Sequence, residues 1–464
     1  MSELCKDVHT GGGGRSFYRN RTQRAIMLVA AFCLIASDNR CWISISTWMG
    51  GFGSVLGGGF VLLAGALLVV NLIREKTPLR ADFLLPVFGF WLLIGTWARF
   101  GLDGSVVATR TIALSLPVYA ILCLDRKDKI RLLYSLGIVF ALFVGLAATF
   151  FVFRYFGIPF PGFDLESPNP LKVASGMHYE ISYLGGAILN RYGNLTFCGV
   201  FDEAGCVGTF AALLFVALKE CRDLDGVRFV RLVRVSILVE GVLSFSFAFV
   251  LLMLAYLAYY CIKRGNVKTA VLVACVAVAV FLIPNVDLQQ LGSLGSLRTR
   301  IETLLGGDGL ANNRVNEQTA IIMWDFYNTK DAFVSLFGYG QSSFYSIANR
   351  AGVDGCSVEF YLYDYGYVGF ALYYAVLVML NRCSGRSVSG GWILLLLFLL
   401  STYQRPEVVS SLYFAILMLG NIPQPHPERT GRRGSFRAPS RLGSSRLAHK
   451  THSCTKGDGI GICR

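Results

Sequence analysis

The chain has 464 residues, of which 54% are hydrophobic and 16% are charged. This composition excludes an ordinary soluble protein, in which about 25% of residues are charged. Apolar runs long enough to cross roughly 30 Å of hydrocarbon recur from end to end, and they predict an all-α integral membrane protein. The net charge of +14 does not require a nucleic-acid partner, because half of it comes from residues 421–464, where nine lysines and arginines accompany two acids.

Thirteen cysteines are scattered along the chain, with no Cys-x-x-Cys pair and no histidine cluster near them. This spacing predicts neither a metal site nor a disulfide framework. We expect most of these cysteines to be small apolar residues within membrane spans. No cofactor is predicted.

Hydrophobic runs and the basic loops between them predict about twelve transmembrane helices, with two large outer loops. The run at 235–242 is too short to cross a bilayer alone. The predicted spans are 25–45, 53–73, 83–100, 106–124, 132–156, 207–218, 235–242, 245–262, 269–284, 360–380, 392–402 and 408–419.

The distribution of basic residues predicts the topology, since cytoplasmic loops carry an excess of Lys and Arg. Residues 1–24 are predicted to be a cytoplasmic lead-in, 25–420 the transmembrane bundle, and 421–464 a basic, disordered cytoplasmic tail. Loops 157–196 and 285–356 are predicted to lie on the outer side, with both termini in the cytoplasm. The first span has a blurred end, because Asp38, Asn39 and Arg40 interrupt it.

The most informative stretch is 190–210, where a polar half that carries Arg191, Asp202 and Glu203 runs directly into an apolar span. An acidic pair at the mouth of a span is costly unless it is solvated, paired or used. A carboxylate within reach of a hydroxyl can take its proton during attack, which makes Asp202 and Glu203 candidate catalytic residues. The alternative is that the two acids cap the helix that follows them.

The second outer loop contributes further charged candidates. It contains Arg298 and Arg300, and then Arg314 and Glu317 within the segment Asn-Asn-Arg-Val-Asn-Glu at 312–317. Guanidinium groups bind diphosphate oxygens in a two-pronged fashion, so these arginines and Arg191 are candidate substrate-binding residues. Glu317 is a third candidate base, or a partner for Arg314.

The order of these segments carries a resemblance. The element Phe-Asp-Glu-Ala-Gly-x-x-Gly at 201–208 resembles the Phe-Asp-Glu-Pro-Gly-x-x-Gly element of the O-antigen and capsule repeat-unit polymerases (Wzy type). Arg191 ahead of it, the segment 312–317 and the segment Tyr-Asp-Tyr-Gly-Tyr-Val-Gly at 363–369 are similar to that family in order and membrane placement. By motif the resemblance covers residues 191–369.

The resemblance implies an inverting, metal-independent glycosyltransferase in the bacterial inner membrane, with a helical bundle like that of the C superfamily of glycosyltransferases. It would polymerise undecaprenyl-diphosphate-linked repeat units at the periplasmic face, for O-antigen, capsule or exopolysaccharide synthesis. Its partners would be the lipid-linked glycan donor and acceptor, and a chain-length regulator protein.

Two features depart from the family, and two alternatives stay open. Ala204 replaces the usual proline, and a Ser-Arg pair expected near residue 245 is Ser244-Phe245 here. An O-antigen ligase that moves glycan to lipid A core is one alternative; the histidine typical of ligases at the end of the large loop is absent from 355–359, which favours a polymerase. A transporter or flippase for the lipid-linked unit is the other.

Overall fold

The computed structural model describes residues 17, 20–38, 40–42, 52–87, 89, 104–166, 173, 177–183, 185–191, 194–265, 268, 317–340, 343–344, 347, 359–385, 391–404 and 410–422, with the backbone alone at the ends of several helices and strands. All of these residues belong to one unit of the chain, 1–423. The predicted span 269–284, most of the span 83–100, most of the loop 285–356 and nearly all of the tail 421–464 lie outside the described residues.

The described chain is mostly helical, and a helix overlaps each of the other predicted spans. The span predicted over 25–45 is wrong in its second half, because the helix ends at Ala36 and residues 40–42 pair with 200–202 instead. The helices are α1 (Arg21–Ala36), α2 (Phe52–Arg74), α3 (Gly104–Cys123), α4 (Arg126–Tyr155), α5 (Ala204–Glu220), α6 (Val230–Leu243), α7 (Phe247–Lys263), α8 (Glu317–Tyr327), α9 (Ala332–Phe337), α10 (Glu359–Ser384), α11 (Gly391–Gln404) and α12 (Ser411–Gly420).

Three segments of the described chain are long and apolar enough to cross a membrane: Val55–Arg74, Arg126–Tyr155 and Tyr361–Ser384. Shorter apolar helices accompany them, at Ala113–Cys123, Phe247–Lys263, Trp392–Thr402 and Ser411–Gly420. Large apolar side chains on the bundle surface are exposed, which water would penalise and lipid would not. They include Leu62, Leu63, Val70 and Ile73 on α2, Leu142 and Leu146 on α4, and Leu232, Val235, Val239 and Val242 on α6. These features indicate a membrane protein.

The helix at the centre of the bundle is α5, in which almost every side chain from Cys206 to Leu218 is buried. It packs against α4, α6, α7, α11 and α12. A helix that is apolar all round is expected to be enclosed by other helices. Because α5 begins at Ala204, its enclosure fixes the position of the acids that precede it.

The all-α prediction misses a four-stranded antiparallel sheet in the loop 157–196 and the residues just after it. The strands follow one another in the order β1 (Gly162–Glu166), β2 (Met177–Ser182), β3 (Ala187–Arg191) and β4 (Asn194–Gly199). The strands are only five or six residues long, and the Pro, Gly, Ser and Asn between them conceal their alternation. Strands this short gain their stability from pairing and packing, which local sequence does not display.

The sheet has two different faces. Tyr179, Ile181, Ala187 and Cys198 form a small apolar cluster on one face. On the other face, Ile188 and Phe197 join the main core of the bundle, and the Phe197 ring lies 5.5 Å from that of Phe151 near the end of α4. The turn between β2 and β3 lies so close to α4 that a Cβ on Gly186 would be 2.8 Å from Cα of Ala147. The sheet therefore packs directly against the C-terminal part of α4.

Candidate functional site

The two predicted acids lie where β4 ends and α5 begins. Glu203 occupies the N-cap position of α5 but its side chain makes no capping hydrogen bond. The acids still lie at the positive end of the helix dipole, which favours negative charge. Glu203 thus makes no side-chain capping bond, while the position of both acids at the helix N-terminus leaves the capping alternative open.

Arg40 meets both acids. Residues 40–42 run antiparallel to 200–202: the N–H of Asp202 donates to the carbonyl of Arg40 at 2.9 Å, and the N–H of Trp42 donates to the carbonyl of Val200 at 3.0 Å. This pairing brings Arg40 Nη1 to 3.1 Å from Asp202 Oδ2 and 3.9 Å from Glu203 Oε1. The three side chains are partly exposed, at 21%, 14% and 26% respectively, so a ligand can reach them.

Asp38 lies behind Arg40 and is buried, with 1% of its surface exposed. Its Oδ1 accepts the N–H of Arg40 at 2.9 Å, while its Oδ2 is buried without a hydrogen bond within the part of the chain that the structure describes. Burial raises the pKa of Asp38 to about 6, against the opposing effects of the Ser410 hydroxyl, the Arg40 N–H and the Arg40 charge, while the nearby Asp202 charge raises it further.

The first turn of α12 meets the end of α1 at the same place. Ser410 caps α12 by accepting the N–H of Tyr413 at 3.1 Å, and the hydroxyls of Ser37 and Ser411 are 2.6 Å apart. The sheet adds one more link, because the Tyr179 hydroxyl donates to the carbonyl of Asp202 at 2.9 Å. The site is thus assembled from α1, the sheet, α5 and α12.

A second charged cluster joins the sheet to the end of α4. Glu180 accepts two hydrogen bonds from Arg154, the longer at 3.2 Å, and one from Asn190 at 2.8 Å. Burial alone would raise the pKa of Glu180, but the hydrogen bonds from Arg154 and Asn190 outweigh burial and hold it below its usual value. The cluster is an ion pair that fastens the sheet to the bundle.

The only group of potential metal ligands in the described residues belongs to this second cluster. Ligand atoms of Asp164, His178 and Glu180 lie within 4.8 Å of one another. Arg154 and Asn190 already donate to both oxygens of Glu180, so a cation would have to displace a guanidinium. The donor set resembles a metal site in composition, whereas its hydrogen bonds are those of a salt bridge.

The other predicted site residues are placed only in part. Arg191 is the last residue of β3, paired with Asn194 at the hairpin end. Asn194 is five residues from Gly199, which is roughly 17 Å of extended strand, so the Arg191 backbone lies at the end of the sheet away from the acids. Glu317 is the first residue of α8; its side chain and that of Arg191 are not described. Arg298, Arg300 and Arg314 lie outside the described residues.

The sequence reading thus overlooked Asp38 and Arg40 as site residues. The signal was present, because two ionisable residues inside an apolar segment are a functional hypothesis by default. They were interpreted as the blurred end of a span. What the sequence could not show is that Arg40 reaches an acid 162 positions further along the chain.

No family model, curated protein or solved structure matches the chain.

Proposed function

We propose that this protein is a glycosyltransferase that polymerises undecaprenyl-diphosphate-linked oligosaccharide repeat units at the periplasmic face of the bacterial inner membrane. The observation that carries the proposal is the partly exposed trio of Arg40, Asp202 and Glu203 at the N-terminus of a buried helix. Both termini would be cytoplasmic, and a chain-length regulator would be a partner. The order of motifs from 191 to 369 supports the family assignment.

Each member of the trio has a distinct role in this reaction. Asp202 orients Arg40 through the 3.1 Å contact. Arg40 and the N-terminus of α5 attract the diphosphate of the donor, since guanidinium groups and helix N-termini both bind phosphate oxygens. Arg298, Arg300 and Arg314 would complete the diphosphate site from the second outer loop, whereas Arg191 lies at the far end of the sheet and is not part of this site.

Glu203 is the most exposed of the three and serves as the base. It takes the proton of an acceptor hydroxyl as that oxygen forms a bond to the anomeric carbon of the donor. The bond from the anomeric carbon to the diphosphate oxygen breaks on the opposite side of the sugar, which inverts the anomeric configuration. Undecaprenyl diphosphate leaves with the electron pair, and arginine stabilises its developing charge. The reaction requires no metal.

The test is a reconstituted reaction. Wild-type protein and the Glu203→Gln variant are placed in lipid nanodiscs with a lipid-linked repeat unit, and products are resolved by length. We expect a ladder from the wild type and none from Glu203→Gln. Arg80→Ala is the matched control, because Arg80 is exposed and pairs with Asp82 outside the site. An undiminished ladder from Glu203→Gln would overturn the role of this residue.

The same assay separates the two alternatives. A ligase would transfer glycan only when lipid A core is added, without extending the repeat unit. A transporter would move the lipid-linked unit across a vesicle bilayer and form no new glycosidic bond. Either outcome would replace polymerisation as the function.

A further inference from the structure

The helices α8 and α9 expose an unusual set of side chains. Their outward surface, which we term the α8–α9 face, consists of Ile321, Trp324, Tyr327, Phe333 and Leu336. Trp324 is 67% exposed and Ile321 is 57% exposed. Single exposed apolar residues need no explanation, but five on two short successive helices, with a tryptophan and a tyrosine among them, do.

The opposite side of α8 is already occupied. Ile322, Met323 and Phe326 pack with Phe344 and Tyr363 in a separate small core. Ile321 and Trp324 therefore lie on a different side of α8 from this small core. A second apolar surface on a short helix indicates a second apolar environment.

The depth of α8 and α9 relative to the bilayer follows from how they are attached to α10. The N–H of Tyr339 donates to the carbonyl of Tyr363 at 3.0 Å, and the N–H of Gly340 donates to the carbonyl of Asp364 at 2.9 Å. The Asp364 side chain accepts the N–H of Phe344 at 2.8 Å. The chain just after α9 is therefore bonded directly to the beginning of the spanning segment Tyr361–Ser384.

Two glycines make this attachment possible. Gly366 interrupts α10 with φ 63° and ψ −175°, a backbone conformation that residues other than glycine rarely adopt. A Cβ on Gly366 would collide with the backbone of Leu336, and a Cβ on Gly338 would collide with the backbone of Asp364. The end of α9 and the kink in α10 are thus in backbone contact, and their relative depth is fixed.

The length of the span sets that depth. Beyond the kink at Gly366 the helix continues without interruption over residues 367–384, which extend about 27 Å at 1.5 Å per residue, against roughly 30 Å of hydrocarbon. Tyr363 to Gly366, which precede this helix, therefore lie at the edge of the hydrocarbon. The end of α9, which is bonded to them, lies at the same level.

The exposed side of the span adjoins the small core of α8. Tyr367, Ala371 and Ala375 are exposed at four-residue spacing on α10. The Tyr367 ring lies 6.1 Å from the ring of Phe326, which contacts Tyr327. Exposed Asp325, Asn328 and Lys330 supply a polar border, as expected of a helix lying in the interface.

We propose that α8 and α9 lie in the interface of the bilayer, with the α8–α9 face against lipid head groups and the adjoining acyl chains. Tryptophan and tyrosine are enriched at this level because their rings are apolar and their N–H and O–H groups are polar. The two helices would anchor the loop that contains them at the membrane surface. This inference stands whether or not the protein is a glycosyltransferase.

Tryptophan fluorescence tests the proposal on the full chain in nanodiscs. The chain has six tryptophans, so the spectrum of Trp324→Phe is subtracted from that of the wild type to isolate Trp324. We expect lipids brominated near the carbonyl end of the acyl chain to quench the Trp324 signal more than lipids brominated near the chain end. Trp42→Phe gives the control signal, because Trp42 Nε1–H is bound to the carbonyl of Gly185 at 2.8 Å within the protein.

Three results would overturn the proposal. Quenching by acrylamide from water without quenching by brominated lipid would place the Trp324 ring in solvent. Stronger quenching by the deeper bromine would place it in the hydrocarbon core. Insensitivity to both quenchers would show that protein or a bound partner, such as a glycan, covers the ring.

Discussion

Asp38 lies near the end of α1 and Glu180 near the end of α4, and the pKa values of these two buried carboxyl groups are shifted in opposite directions. Glu180 has a lowered pKa because Arg154 and Asn190 donate to its oxygens. Asp38 has a pKa raised to about 6 because it is buried, and its Oδ2 has no hydrogen bond within the described chain. Asp38 is the more deeply buried of the two, and Glu180 accepts from a charged guanidinium, so the balance between burial and charged donors decides the sign.

This difference separates a structural cluster from a candidate functional one. A satisfied ion pair fixes the sheet on the bundle and offers little to a ligand. The region around Asp38 and Arg40 retains exposed polar atoms and a poorly satisfied carboxyl group, which are features of binding sites. The two clusters should therefore respond differently to substitution.

The largest effect is expected from Arg40→Ala, compared with Arg154→Ala. Loss of a charged donor from the proposed site should reduce polymerisation by about 100-fold, as for removal of one oxyanion-stabilising group. Arg154→Ala should instead lower the thermal midpoint and leave the activity of folded protein close to wild type. Glycan ladder length and thermal unfolding in detergent measure the two quantities. If the two variants exchanged these effects, the assignment of the clusters would be reversed.

The Asp38→Asn variant tests the raised pKa. The folded protein binds a proton at Asp38 below about pH 6, whereas an unfolded aspartate does so only below about 3.8, so its contribution to stability grows as pH falls between these values. Above pH 6 the wild type has a buried charge that asparagine lacks. The variant should be more stable at pH 7.5 by about 3 kcal/mol, with the gap closing near pH 4. A pH-independent difference would contradict the shift.

The Glu180→Ala variant should have the opposite pH dependence. The stabilisation from Glu180 is fully present above the usual carboxyl pKa near 4.5, and it is lost as pH falls through the lower folded value. At pH 7 the variant should lose about 2 kcal/mol of stability, because charged donors lose their acceptor. Thermal unfolding of the variant and the wild type at pH 7 measures this loss of stability. Glu166→Ala is the control, since Glu166 is exposed on the neighbouring strand; an equal loss there would exclude a specific role for Glu180.

The smallest effect is expected from Tyr179→Phe. The substitution removes the hydrogen bond to the carbonyl of Asp202 and leaves the ring in place, which should cost about 1 kcal/mol. Because Asp202 orients Arg40, we also expect a modest loss of polymerisation without loss of the sheet. Tyr183→Phe, at a side chain 71% exposed, should change neither the midpoint nor the activity. Equal behaviour of the two variants would show that the sheet does not support the site.

Parts of the candidate site were accessible to sequence reasoning. Asp202 and Glu203 stand out because a polar pair directly before an apolar run is costly in a membrane. Arg40 also interrupts an apolar segment, but its partners are not readable from the sequence, since they depend on a strand-like pairing between 40–42 and 200–202. The sheet was hidden for a similar reason: its strands are stabilised by one another and by α4. The arginines of the second outer loop remain predictions.

The sequence by itself determined that the chain is helical and apolar, and it located most of the helices. It could do so because a run of apolar residues and the basic loops beside it are local properties. Only the tertiary structure decided which charges meet, which carboxyl group is satisfied and which is not, and where a sheet is seated. Those outcomes depend on distances between residues far apart in the chain, and packing alone sets such distances.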